Sequence, residues 1–249
     1  MREAREVQAV LTLVAAGHRD REIAERTGIP RTTVRDWRRG LVPRRAGMSL
    51  GARACPICQP GSAVLPERDY AYVLGLYLGD GCVSRGPRTY CLRIFMDRAY
   101  PGIVKACQRS LAAIRPGNRV SVWNHTKSRC AVVAMSSNHW PCLLPQMGPG
   151  RKHERSIRLE PWQEDVVSRE REALVRGLIH SDGCRVVAND RGVKSVRYHF
   201  SNRSEDIKRI YCDSLEALGL RWTRPCAREI AVYRKASTAR LDEFIGPKR

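Results

Sequence analysis

Two aspartates stand in near-identical settings 102 residues apart: Asp80 in "GLYLGDGC" (Gly75 to Cys82) and Asp182 in "GLIHSDGC" (Gly177 to Cys184). A lone Asp-Gly is a common turn. A matched pair carries more meaning, because two carboxylates brought to one place repel each other and a divalent cation relieves the repulsion. Carboxylate oxygens suit Mg2+ (or Mn2+), which keeps several waters and takes its remaining ligands from phosphate. Metals held in that way support in-line hydrolysis of a phosphodiester. Asp80 and Asp182 are therefore the candidate catalytic and metal-binding acids.

Such a site needs elements that bring the two acids together. Gly75 and Gly79 lie four apart, as do Gly177 and Ser181, so each predicted helix offers a smooth face along which two backbones can approach. Packing these faces would set Asp80 and Asp182 side by side at helix C-termini, where the dipoles worsen their repulsion. Gly81 and Gly183 are expected to make the C-terminal turns. The order of elements that follows also repeats. "TYCLRIFMD" and "KSVRYHFSN" alternate as strands, while "IVKACQRSLAAI" and "IKRIYCDSLEAL" have helical period. "CAVVAMSS" and "CAREIAVYR" are read as strands that both start Cys-Ala, and "GPGRK" and "GPKR" close the two copies. The expectation is an internal duplication, each half αββαββα, with residues 67–152 and 153–249 as the copies.

"VLGLYLGDG" (Val73 to Gly81) and "VRGLIHSDG" (Val175 to Gly183) resemble the two motifs of the LAGLIDADG, or DOD-type, homing endonucleases in their single-chain form. The resemblance covers residues 67–249. It implies an α+β core with two saddle-like antiparallel sheets on double-stranded DNA, and assigns the catalytic, metal-binding position of each motif to Asp80 and Asp182. The family's second acidic position falls on Leu78 and His180, where this chain departs. A basic residue ahead of the second motif, Lys152 in "GRKHERSI", is carried over as a catalytic candidate, its alternative being a phosphate contact. Strand side chains would read bases, and alternation suggests Arg93, Arg119, Trp123, Lys194, Arg197, Tyr198 and Arg221. A pseudo-twofold within one chain implies a monomer. With neither Cys nor Ser at the start nor His-Asn at the end, a free-standing protein is expected rather than an intein.

Residues 1–45 read as a separate all-α domain. Val7, Val10, Leu11 and Val14 recur at helical spacing up to Gly17; Asp20 can cap a second helix carrying Ile23 and Ala24; Gly28 turns the chain; a third helix follows Pro30, capped by Thr32 or Thr33. Val34 and Trp37 would face inward, leaving Arg31, Thr33, Arg35 and Arg38 outward. This resembles the helix-turn-helix domains of resolvases, transposases and small regulators, with the third helix in a DNA major groove. The alternative is a generic three-helix bundle with a solvated basic face.

The net charge is +20, and Arg outnumbers Lys 38 to 7, which fits a polyanion partner held by phosphate contacts. The start "MREAREVQAV" lacks the apolar core of a signal peptide, and no apolar run approaches the roughly 20 residues of a membrane span. A cytoplasmic, nucleoid-associated protein without membrane contact is expected, its ten cysteines reduced. Residues 46–66 read as a linker. Within it "CPIC" puts Cys55 and Cys58 at metal-binding spacing. Zn2+ needs four ligands and no second Cys-x-x-Cys exists, so the pair is either half a site completed by a distant Cys or His, or by another chain, or simply two thiols. Two functions remain: a site-specific, metal-dependent DNA endonuclease partly targeted by its helix-turn-helix, or a non-catalytic DNA-binding regulator on the same scaffold, resembling the WhiA family.

Overall fold

The computed structural model describes residues 4–40, 55–126, 128–246 and 248, and two compact units divide the chain, the second beginning at Cys55. In the first, α1 (Ala4–Ala15), α2 (Asp20–Thr27) and α3 (Arg31–Arg38) enclose Val7, Val10, Ile23, Ile29, Val34 and Trp37. Gly28, at φ +68°, ends α2 by donating its N–H to the Ala24 carbonyl at 2.9 Å, a left-handed conformation that glycine adopts at little cost. The helix starts differ from expectation. Asp20 is the first residue of α2 rather than its cap, and α3 begins at Arg31 directly behind Pro30. Proline suits that place because its fixed φ leads into a helix and its missing N–H removes one unsatisfied donor. The expected boundary at residue 45 and the linker as far as residue 54 lie outside the described residues.

The second unit repeats one element order. The first copy runs α4 (Glu67–Asp80), β1 (Gly81–Arg85), β2 (Tyr90–Asp97), α5 (Pro101–Ile114), β3 (Val120–Asn124), β4 (Cys130–Ser137) and α6 (Trp140–Leu143). After a 3-10 turn (Lys152–Glu154) and α7 (Pro161–Arg169) comes the second: α8 (Arg171–Asp182), β5 (Gly183–Asp190), β6 (Val193–Ser201), α9 (Glu205–Ala217), β7 (Thr223–Cys226), β8 (Glu229–Val232) and α10 (Lys235–Phe244). Each copy forms a four-stranded antiparallel sheet, ordered β1-β2-β4-β3 and β5-β6-β8-β7. The fold is thus α+β, with an all-α N-terminal unit and a duplicated αββαββα unit.

One expected strand is divided differently. "CAVVAMSS" is β4 from end to end, but in "CAREIAVYR" Cys226 closes β7, Ala227 and Arg228 form the turn, and β8 starts at Glu229. The second hairpin is shorter, so its Cys-Ala falls at the turn instead of the strand start. Residues 55–66, read as linker, belong to the second unit, with Cys55 fully buried.

The core of this unit lies where α4 and α8 pack along each other and against the inner faces of both sheets. Leu74, Leu76 and Leu78 of α4 and Leu174, Leu178 and Ile179 of α8 are wholly buried, with Leu92, Ile94, Tyr198 and Phe200 of the central strands above them. Both helices are covered along most of their length by each other and by the sheets, and no residue of α8 is fully exposed. No helix among the described residues is long and apolar enough to cross a membrane.

Candidate active site at the paired helix ends

The approach of α4 to α8 is set by missing side chains. A Cβ on Gly75 would lie 2.5 Å from the Leu174 carbonyl oxygen and 2.9 Å from the Gly177 Cα; one on Gly177 would lie 3.0 Å from the Gly75 Cα. The helices therefore touch backbone to backbone. One turn on, a Cβ on Gly79 would overlap Ser181 and come within 3.1 Å of the Asp182 Oδ2, so the Asp182 carboxylate lies against the turn that carries Asp80. Gly81 and Gly183 do not make left-handed turns as expected. They are extended (φ −96° and −109°) and open β1 and β5. Glycine is required there by proximity, since a Cβ would sit 2.5 Å from the Tyr77 Cα and 2.7 Å from the Ile179 Cα.

Asp80 reaches solvent and Asp182 is half-buried. The protein packed around Asp80 displaces enough water to push its carboxyl above the usual range, against the pull of Lys152 and Lys248. Asp182 is pushed up to about 6, first by burial and then by the charge of Asp80, although the Asn202 side chain donates to its Oδ2 at 2.5 Å and both lysines oppose the shift. Lys152 Nζ donates to the carbonyls of Tyr77, Gly79 (2.7 Å) and Gly81 (2.9 Å). Burial brings it down to about 8 while Asp182 and Asp80 hold it up. Lys248 Nζ donates to the Gly183 carbonyl in the matching place of the second copy, and burial lowers it too. Each ammonium group thus binds main-chain carbonyls where a motif helix passes into its strand, Lys152 from Tyr77 to Gly81 and Lys248 at Gly183. A cleft of about 520 Å³ opens beside Lys152, Asp182 and Asn202, walled by Arg151, Arg203 and Arg228.

Asp80, Asp182 and Lys152 therefore come together. Lys248 and Asn202 join them without having been singled out, though "GPKR" mirrors "GPGRK" and the final Asn of "KSVRYHFSN" mirrors the final Asp of "TYCLRIFMD". Leu78 and His180 lie in the core. The His180 Nδ1 meets the Tyr72 hydroxyl at 2.9 Å, and burial lowers the ring to about 3, so it is neutral.

The base-reading candidates divide. Arg93, which donates to Ser84 Oγ at 2.7 Å, and Arg197, paired with Asp190 and 5.5 Å from the Tyr233 ring centre, sit on outward-facing strand positions. Trp123 is exposed on β3. Arg119 and Arg221 are exposed just ahead of β3 and β7, and Lys194 is exposed near the start of β6. Tyr198 is a correction: it is fully buried, its hydroxyl donating to Asp242 at 2.5 Å, because its strand parity puts it on the inner face with Phe200. In the first unit Arg31 and Arg35 are exposed and Thr33 half-exposed, whereas Arg38 is tied to Asp20 at 2.7 Å and to the His18 carbonyl. Cys55 and Cys58 lie together with a distant His and a distant Cys of the same chain, His139 and Cys142.

Residues 1–42 match the model of the Homeodomain-like domain family. No curated protein matches the chain. Among solved structures, full-length DUF199/WhiA from Thermatoga maritima is similar at 14% identity and a TM-score of 0.48; 74% of this chain is covered, and the chain spans only 56% of that one. The homing endonuclease I-DmoI in complex with DNA and Mn is similar at 16% identity over 72% of this chain and 96% of that one, with a TM-score of 0.48. I-WcaI, a homing endonuclease bound to its DNA recognition sequence, is similar at 14% identity over 74% and 83%, with a TM-score of 0.44.

Proposed function

We propose that the protein binds double-stranded DNA and hydrolyses its phosphodiester bonds at the composite site of Asp80 and Asp182. The observation that carries this is geometric: the Gly75–Gly177 contact lays α4 against α8 backbone to backbone, so the Asp182 carboxylate lies against the turn that ends in Asp80. The two acids offer carboxylate oxygens, the donors that hard divalent cations such as Mg2+ or Mn2+ prefer. Asp80 and Asp182 would hold such ions, which when bound supply an activated water and stabilise both oxygens of an in-line displacement. Asn202 orients the Asp182 carboxylate through its 2.5 Å hydrogen bond. Lys152 and Lys248 are anchored on backbone and oppose the negative charge that gathers on phosphate in the transition state. Arg151, Arg203 and Arg228 offer contacts to the DNA backbone along the cleft. The Homeodomain-like match over residues 1–42 supports a further DNA contact through α3.

One observation favours a second reading, a DNA-binding regulator without chemistry. Two lysines set beside two aspartates go some way to balancing the charge without a metal. Plasmid-library cleavage in Mg2+ or Mn2+ separates the readings. Either Asp80→Asn or Asp182→Asn is expected to abolish double-strand cleavage while DNA affinity holds or rises. A wild-type protein that never cuts its highest-affinity sequence supports the regulator; cleavage that survives Asp80→Asn removes that aspartate from the site.

A further inference from the structure

Cys55 and Cys58 are brought to two residues more than eighty positions away. The Sγ atoms of Cys55 and Cys142 are 3.9 Å apart, His139 Nδ1 is 3.3 Å from the Cys58 Sγ and 3.9 Å from that of Cys142, and all four ligand atoms lie within 4.8 Å of one another. A tetrahedral zinc ion with sulfur at about 2.3 Å and nitrogen at about 2.0–2.1 Å places its ligands about 3.8 Å apart for two sulfurs and about 3.6 Å for sulfur and nitrogen. The observed edges scatter around those lengths, and the sulfurs are far beyond the 2.05 Å of a disulfide.

From this geometry we infer that Cys55, Cys58, His139 and Cys142 form a structural zinc site that fastens the start of the second unit to the end of its first sheet. The chain is shaped for it. Residues 56–58 form a tight turn, which the Gln59 N–H closes on the Cys55 carbonyl at 2.9 Å. His139 directly precedes α6 and Cys142 lies within it, so one short helix presents both remaining ligands. Zinc with three thiolates and a neutral imidazole carries a net charge of −1, and the buried Arg115 guanidinium lies within the electrostatic reach of all three sulfurs. Four protein ligands leave no open position, which marks a structural rather than catalytic site. The second copy has Tyr233 and Arg234 leading directly into α10, so the clamp belongs to the first half alone.

The test uses the full-length chain purified under reducing conditions without chelator. About one zinc per chain is expected by elemental analysis, and Co2+ exchanged into it should give the visible bands of a tetrahedral thiolate complex. Cys58→Ser or Cys142→Ser should lose the metal and those bands, while Cys184→Ser and Asp80→Asn keep both. If the cysteine variants fail to fold, chelation of the wild type serves instead: release of the zinc should lower the melting temperature, and added zinc should restore it. Wild-type protein that is metal-free and gives no thiolate bands with Co2+ overturns the site, as does zinc retained by folded Cys58→Ser and Cys142→Ser variants.

Discussion

At the scale of single residues the most consequential group is Asp182, held at about 6 by burial and by Asp80. Its ionisation works against folding. The folded chain binds this proton more tightly than the unfolded one, so the stabilisation is complete below pH about 4 and is lost as the pH rises through 6. Asp182→Asn is therefore expected to raise stability at pH 7.5 by about 1–3 kcal/mol and to leave it unchanged near pH 4. Urea denaturation at the two pH values measures this, and a variant less stable than wild type at pH 7.5 contradicts the origin of the shift. Asp80, Asp182 and Lys152 were legible from repetition and resemblance. Lys248 and Asn202 were written in the same repeats, yet a lysine near a chain end and an asparagine closing a strand look ordinary until the fold brings them to the acids. His180 stands where the resembled family carries a second acid, and its neighbours make it core.

Among the elements, the seam between α4 and α8 depends on glycines that a methyl group would test. Gly75→Ala and Gly177→Ala each drive a carbon into the opposite backbone, and backbone cannot swing aside as a side chain can. Each is expected to destabilise the second unit by about 2–4 kcal/mol, the upper part of the range for overpacking. Gly79→Ala meets the Ser181 side chain instead, so Ser181→Gly should recover much of its loss, a coupling that a double-mutant cycle reads directly. Additive losses would mean that Ser181 is not the obstacle. The small-residue spacing was visible because helical period puts residues four apart on one face. The role of Gly81 and Gly183 was misread, because only the packed structure reveals that Tyr77 and Ile179 exclude a side chain. Hairpin length likewise escaped notice at Cys226. His139 and Cys142 could not have been paired with "CPIC" from spacing, since four ligands drawn from two distant turns carry no local pattern.

For the whole molecule, the charge of +20 poses the question of how two folded units share one polyanion. Each has its own buried core, and the division falls at Cys55, so removal of residues 1–50 should leave the melting of the remainder largely unchanged. The loss should appear in binding. Arg31 and Arg35 are exposed on α3, while Arg38 is already committed to Asp20 and His18, so α3 itself brings two arginines to phosphate. Each phosphate contact contributes about 0.9 to the slope of log K against log salt. Truncation is therefore expected to reduce that slope by about 2–3 and to weaken binding more at low salt than at high. Cleavage, if it resides where Asp80 meets Asp182, should persist in the truncated protein at low salt with relaxed choice of site, because the chemistry and the extra contact lie in different units. Titrations of both proteins on one duplex across a range of salt concentrations measure the difference. An unchanged slope and affinity would deny the first unit any part in holding DNA and leave the second to find its site alone.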